Sequence, residues 1–177
     1  MRFCRPSPVL LLLLMGCATA PDDSGAGLLP DPASCPPATP ADVQTRRGDY
    51  YRCLDATLMG GAGCGAAGYP LGFGGKYADR SFDETWFDLT DAGQAFFLAV
   101  APCLQEQLAA QVEPETSCAL VWDSGFGTHA GCYVDSGFCA LPAEDVLVIG
   151  AMFDADVYAL DAFTAQFAAV SAACAER

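Results

Sequence analysis

The chain has 177 residues, of which 22 are acidic and 8 basic, for a formal net charge of −14. That balance excludes a phosphate-backbone binder, which needs clustered Lys and Arg, and nucleic acid is not an expected partner. It also disfavours electrostatic attachment to an anionic bilayer; its plainest meaning is a solvated exterior.

In chain order, Arg2 and Arg5 precede an unbroken apolar run from Val9 to Met15. Such a run is too short to span a bilayer as a helix and suits a signal-peptide core. It ends in Leu14-Met15-Gly16-Cys17, a bacterial lipobox pattern in which methionine is the less usual member. Ordinary secretory cleavage at Ala18-Thr19-Ala20 is the alternative. Residues 1–16 are read as a lipoprotein signal peptide, and Cys17 as the lipid attachment site. Ala18 is not the aspartate of an inner-membrane retention signal, so the expected location is extracytoplasmic, at the outer membrane or cell surface. The chain lacks Asn and has one Lys and one Ile amid abundant Ala and Gly, a codon-driven pattern that implies a GC-rich bacterium. Residues 17–40 hold six prolines and no apolar periodicity, and read as a lipid-anchored tether. Without the signal peptide, 6 basic residues face 22 acidic ones, a net charge of −16.

The folded domain is expected over 41–177, enough for one core and not two. Val43, Tyr50, Tyr51 and Leu54 have helix-compatible spacing over 41–58. Residues 60–75 carry too much glycine for helix or strand and read as loop. Thr90 suits an N-cap for a helix to about Val112, with Phe96, Val100, Leu104 and Leu108 on one face and Pro102 kinking it. Pro114 opens a short helix across Cys118. Pro142, with Glu144 and Asp145, suits another start, although 146–149 is the best strand rival. Val157, Leu160, Phe163, Phe167, Val170 and Cys174 form a helical stripe from about Asp154 to the end. The fold class is therefore all-α.

Beyond Cys17 eight cysteines remain: Cys35, Cys53, Cys64, Cys103, Cys118, Cys132, Cys139 and Cys174. An even number in an oxidising compartment implies four disulfides, and counting leaves their connectivity open. A metal site is not expected, because no CxxC pair occurs and His129 is the single histidine. No cofactor is expected either.

The stretch 122–139 contains two copies of Asp-Ser-Gly-Phe, at 123–126 and 135–138. Paired aspartic-protease carboxylates need two facing strand-rich lobes. Asp123 and Asp135 lie in a helical, cysteine-pinned context, so the plainer reading is two turns with Asp capping and Gly turning. His129-Ala130-Gly131-Cys132-Tyr133 is similar to the secreted phospholipase A2 segment, but Ala130 stands where a calcium-binding aspartate belongs. His129 is more simply an exposed or locally hydrogen-bonded side chain. Gly63 to Gly68 matches G-x-G-x-x-G without a preceding strand. Gly75-Lys76 is not a P-loop, and Asp154 with Asp156 does not continue into a calcium loop.

The cysteine framework over about 53–174 resembles the stanniocalcins, secreted disulfide-rich helical glycoproteins of animals. The likeness rests on Cys53-Leu54 and Cys64, then on Gly93-Gln94-Ala95-Phe96 running on to Cys103-Leu104. Cys118 follows, then Cys132-Tyr133-x5-Cys139 and the interval to Cys174. It implies the pairs Cys35–Cys53, Cys64–Cys118, Cys103–Cys132 and Cys139–Cys174. A further family disulfide has no counterpart here, since Ala78 stands at one of its ends, and the chain stops before the family's later dimer cysteine. The resemblance implies action by binding and supplies no catalytic residues.

The expected function is a non-enzymatic, lipid-anchored extracytoplasmic binding or structural module whose partner is a protein or envelope component. The alternative is a secreted hydrolase, phospholipase A2-like or a peptidase, centred on His129. The candidate binding loop is 68–77, with Tyr69, Phe73, Lys76 and Tyr77 as contact residues; the competing reading folds its rings inward to cover the core.

Overall fold

The computed structural model describes residues 31–176. The signal-peptide run, the lipobox and Cys17 lie outside them. The described chain is all-helical: seven α-helices joined by 3-10 and π turns, with no strand among the described residues. No described helix is long and apolar enough to cross a membrane.

The helix expected over 41–58 is broken. Arg47 has a positive φ of 49°, so α1 (Val43–Arg46) ends there and α2 (Asp49–Thr57) starts afresh. Gly48 sits at the joint because a Cβ there would lie 2.8 Å from the Gly75 carbonyl oxygen. The segment read as tether joins the body before residue 40. Cys35 and Ala38 are buried, the Ala38 N–H donates to Gln105 Oε1 at 2.7 Å, and Arg46 donates to the carbonyls of Pro36 and Pro37.

Residues 69–75, expected as loop, form a π-helical segment that runs straight into α3 (Lys76–Asp83). Low helix propensity is overridden by packing. Gly74 presents bare backbone to the Tyr51 ring, where a Cβ would meet ring carbons at 2.5 Å. Only the stretch before it is irregular, with positive φ at Gly60, Gly61, Gly63 and Gly65. Asp55 fastens that stretch by accepting from the N–H groups of Cys64 (2.8 Å) and Gly65 (3.2 Å).

The long helix α4 (Asp91–Ala109) begins at Thr90, whose hydroxyl accepts from the Gly93 N–H, and it continues through buried Pro102. The strand rival at 146–149 is helical, within α6 (Ala143–Ala151). Asp145, fully buried in the first turn of α6, accepts from the Thr90 N–H at 2.9 Å and hydroxyl at 2.6 Å. One carboxylate therefore fastens the start of α6 to the start of α4.

The short helix expected across Cys118 is the 18-residue α5 (Cys118–Asp135), capped by Ser117. It is the central helix, packed by α4, α7 and the π segment. The first Asp-Ser-Gly-Phe is thus inside a helix and not a turn. The second straddles its end, where Gly137 turns the chain with φ of 97°. The last helix, α7 (Asp161–Ala175), starts later than the apolar stripe implied. Val157 belongs to a separate 3-10 turn, and Phe167 is 55% exposed.

The disulfides join Cys35–Cys53, Cys64–Cys118, Cys103–Cys132 and Cys139–Cys174. They are the pairs implied by the stanniocalcin resemblance. Each closes a loop of 18 to 54 residues, which in a chain-entropy estimate stabilises by about 3–4 kcal/mol.

Candidate functional site

The residues nominated as a binding loop do not form an exposed surface. Tyr69, Phe73 and Tyr77 are 1%, 5% and 4% exposed. Their rings enter one aromatic cluster with Phe126, Phe153 and His129. The reason is steric as well as hydrophobic. Gly125 on α5 has no side chain, and the Tyr69 ring occupies the space where its Cβ would stand. Lys76 alone faces outward, and its ammonium is paired with Asp154.

His129 is corrected too: it is neither exposed nor bonded within its own stretch, but 2% exposed and tied to two distant segments. Its Nδ1 lies 2.5 Å from Gln166 Oε1 on α7, and its Nε2 lies 2.9 Å from the Tyr69 hydroxyl. An amide oxygen only accepts, so Nδ1 carries the proton and Nε2 accepts from Tyr69. The ring stacks on Tyr133 with centroids 5.7 Å apart. Burial pushes the imidazole down to about 4, against the opposing pull of the Gln166 bond. It also pushes the Tyr69 phenol well above its ordinary range. Both groups are therefore neutral near pH 7. The adjoining cavity, about 50 Å³ and lined by Tyr51, Phe73, His129 and Tyr133 among others, is far below the size of an ordinary ligand site.

The described cations all fall between residues 46 and 80 of the chain. Arg46, Arg47, Arg52, Lys76 and Arg80 lie on or beside α1, α2 and α3, and each is in an ion pair. Asp154 binds both Lys76 and Arg80 and accepts from the Tyr77 hydroxyl at 3.2 Å. These hydrogen bonds, Lys76 first, hold its carboxyl down at about 2. Residues 81–176, in contrast, carry fifteen acidic side chains and no Lys or Arg.

Surface depressions of about 200 to 550 Å³ are open enough to take a partner. A cleft of about 200 Å³ lies between the glycine-rich segment and the 156–160 turn, with Phe73 and Trp122 inside and Lys76 and Asp156 among its lining. A larger groove, about 550 Å³, runs between α4 and α5. Gln107 on α4 and Gln111 just beyond its end form one wall, and Asp123, Gly127, Gly131 and Asp135 lie along α5, with the Cys103–Cys132 disulfide between. The sequence reading missed this groove. Its signal was the four-residue spacing of Asp123, Gly127, Gly131 and Asp135, which sets them on one line of a helix. The short-helix expectation concealed it. No family model, curated protein or solved structure matches this chain.

Proposed function

We propose that the mature chain is a lipid-anchored extracytoplasmic module of a bacterial envelope that acts by binding a protein or surface component, without catalysis. The observation that carries this reading is the enclosure of His129. A general base needs hydrogen-bond reach to its substrate proton. Both nitrogens of this ring are instead engaged by Gln166 and Tyr69 inside an aromatic core. The disulfide pattern supports the same reading, because it is the one implied by resemblance to a family that acts by binding. The lipobox, the preceding basic residues and the proline-rich segment support the anchor.

Two measurements test it. Metabolic labelling with a fatty-acid analogue should mark the wild type and spare Cys17→Ser, which should leave the membrane fraction; equal labelling removes the anchor. The purified mature protein should hydrolyse neither phospholipid nor peptide substrates. An activity abolished by His129→Gln, with helical circular dichroism intact, would overturn the non-catalytic reading.

A further inference from the structure

We propose that Tyr69 and His129 form an internal sink for one oxidising equivalent, filled through Trp122 when a small oxygen-centred radical reaches the surface of the protein. This activity is separate from binding and uses a buried pair to which binding gives no task.

A tyrosine gives up an electron readily only if its proton can leave at the same time, because an oxidised phenol is a strong acid. The proton needs a base already within hydrogen-bond reach. Tyr69 has one: its hydroxyl donates to His129 Nε2 at 2.9 Å, while Nδ1 donates to Gln166 Oε1 at 2.5 Å. Gln166 thereby keeps the free lone pair of the imidazole on the side of the phenol. His129 is the single histidine and both its nitrogens are engaged, so no other tyrosine shares this arrangement. Tyr50 is buried with its hydroxyl unpartnered. Tyr158 donates to the Gly150 carbonyl, which takes no proton. Tyr77 donates to Asp154, whose carboxylate is already paired with Lys76 and Arg80 and held down at about 2.

Tyr69 is buried, so an oxidant in solution does not touch it. Its ring meets the Trp122 ring edge-on, with centroids 6.3 Å apart. Trp122 is half-buried and lines the cleft of about 200 Å³ beside the glycine-rich segment, which admits a small molecule. The second tryptophan, Trp86, meets Phe82 and not a tyrosine ring.

The electrons and atoms balance as follows. A peroxyl radical, ROO•, takes one electron from Trp122, and solvent protonates the resulting anion to ROOH. One electron from Tyr69 refills Trp122. The Tyr69 O–H bond breaks as its proton moves to His129 Nε2, leaving a neutral tyrosyl radical beside an imidazolium. When a small enediol reductant supplies one electron, the same proton returns to the phenol oxygen. Burial keeps the radical from coupling to a second one in the meantime.

The test is pulse radiolysis of the mature, disulfide-bonded protein with azide radical, a one-electron oxidant that attacks tryptophan in preference to other side chains. In the wild type the broad visible band of a tryptophanyl radical should give way to the sharper near-ultraviolet band of a tyrosyl radical, at a rate independent of protein concentration. Tyr69→Phe keeps the ring and removes the proton, and its tryptophanyl band should persist. Trp122→Phe should lose the fast transfer. His129→Gln offers the phenol an acceptor that is not a base, and should slow the transfer by about a hundredfold, the worth of a positioned base, with near-UV circular dichroism retained. The wild type should also transfer more slowly in heavy water, a readout that needs no variant. Transfer at the wild-type rate in Tyr69→Phe or His129→Gln would overturn the proposal, as would a wild-type rate equal in the two solvents or the absence of a tyrosyl band.

Discussion

Acidification should destabilise this protein in a window set by one side chain. His129 is held neutral in the fold, with its pKa pushed down to about 4 by burial, whereas in the unfolded chain it titrates near 6.5. Above about pH 6.5 neither state binds the proton, so stability does not change through this group. Below that value the unfolded state takes up a proton that the fold refuses, and stability falls at about 1.4 kcal/mol per pH unit. The fall stops near pH 4, where the folded state also protonates. Between pH 7 and about 4.5 the loss comes to about 2.5 kcal/mol, a substantial share of the stability of an ordinary domain. Asp154 works lower on the scale. Its carboxyl is depressed to about 2, so its contribution is lost only as pH falls below the ordinary carboxylate value. Urea unfolding of the mature protein at pH 7, 5.5 and 4.5, beside a His129→Leu variant, separates the two. The wild type should weaken through this range. The variant, weaker at pH 7 because Tyr69 and Gln166 lose their partner, should show little of the slope. Since His129 is the single histidine, its ring proton resonance reports the same event directly. A midpoint near 6.5 in the folded protein, or an equal slope in the variant, would refute the buried neutral pair.

Other outcomes follow from packing. Gly125→Ala should destabilise the fold by roughly 1–3 kcal/mol, because the added methyl meets the Tyr69 ring. Gly131→Ala in the same helix should stabilise it by about 1 kcal/mol, because nothing opposes the methyl. Thermal melts that move the same way in both would contradict the assigned faces of α5. Tyr69→Ala with Phe73→Ala should abolish cooperative unfolding, since each large-to-small change in a core costs about 3–5 kcal/mol. Retained near-UV circular dichroism in that double variant would show that the rings are not core. Replacing Cys139 and Cys174 together by serine should lower stability by about 3–4 kcal/mol and speed amide exchange first in α7; uniform exchange would argue against a local staple.

Helical class was determined by the sequence alone, because apolar spacing reports a helix face without reference to distant residues. Phe96, Val100 and Leu108 mark α4 in this way, and Thr90 caps it locally. The cysteine intervals carried the disulfide pairs through a resemblance in framework. The aromatic segment 68–77 was visible as a special stretch, but its direction was not. Composition says that glycine weakens helices; it does not say that Tyr51 and Gly125 leave space for a π-helical turn and the Tyr69 ring. Only the tertiary structure decided that His129 is a core residue, because Gln166 and Tyr69 lie 37 and 60 positions away in the chain. The same holds for the groove. Its Asp and Gly residues repeat at a regular spacing in the sequence, yet that spacing marks a surface only once α5 is known to be one continuous helix with its other face buried. Short-range chemistry determined the elements, and their faces were decided by contacts between residues far apart in the chain.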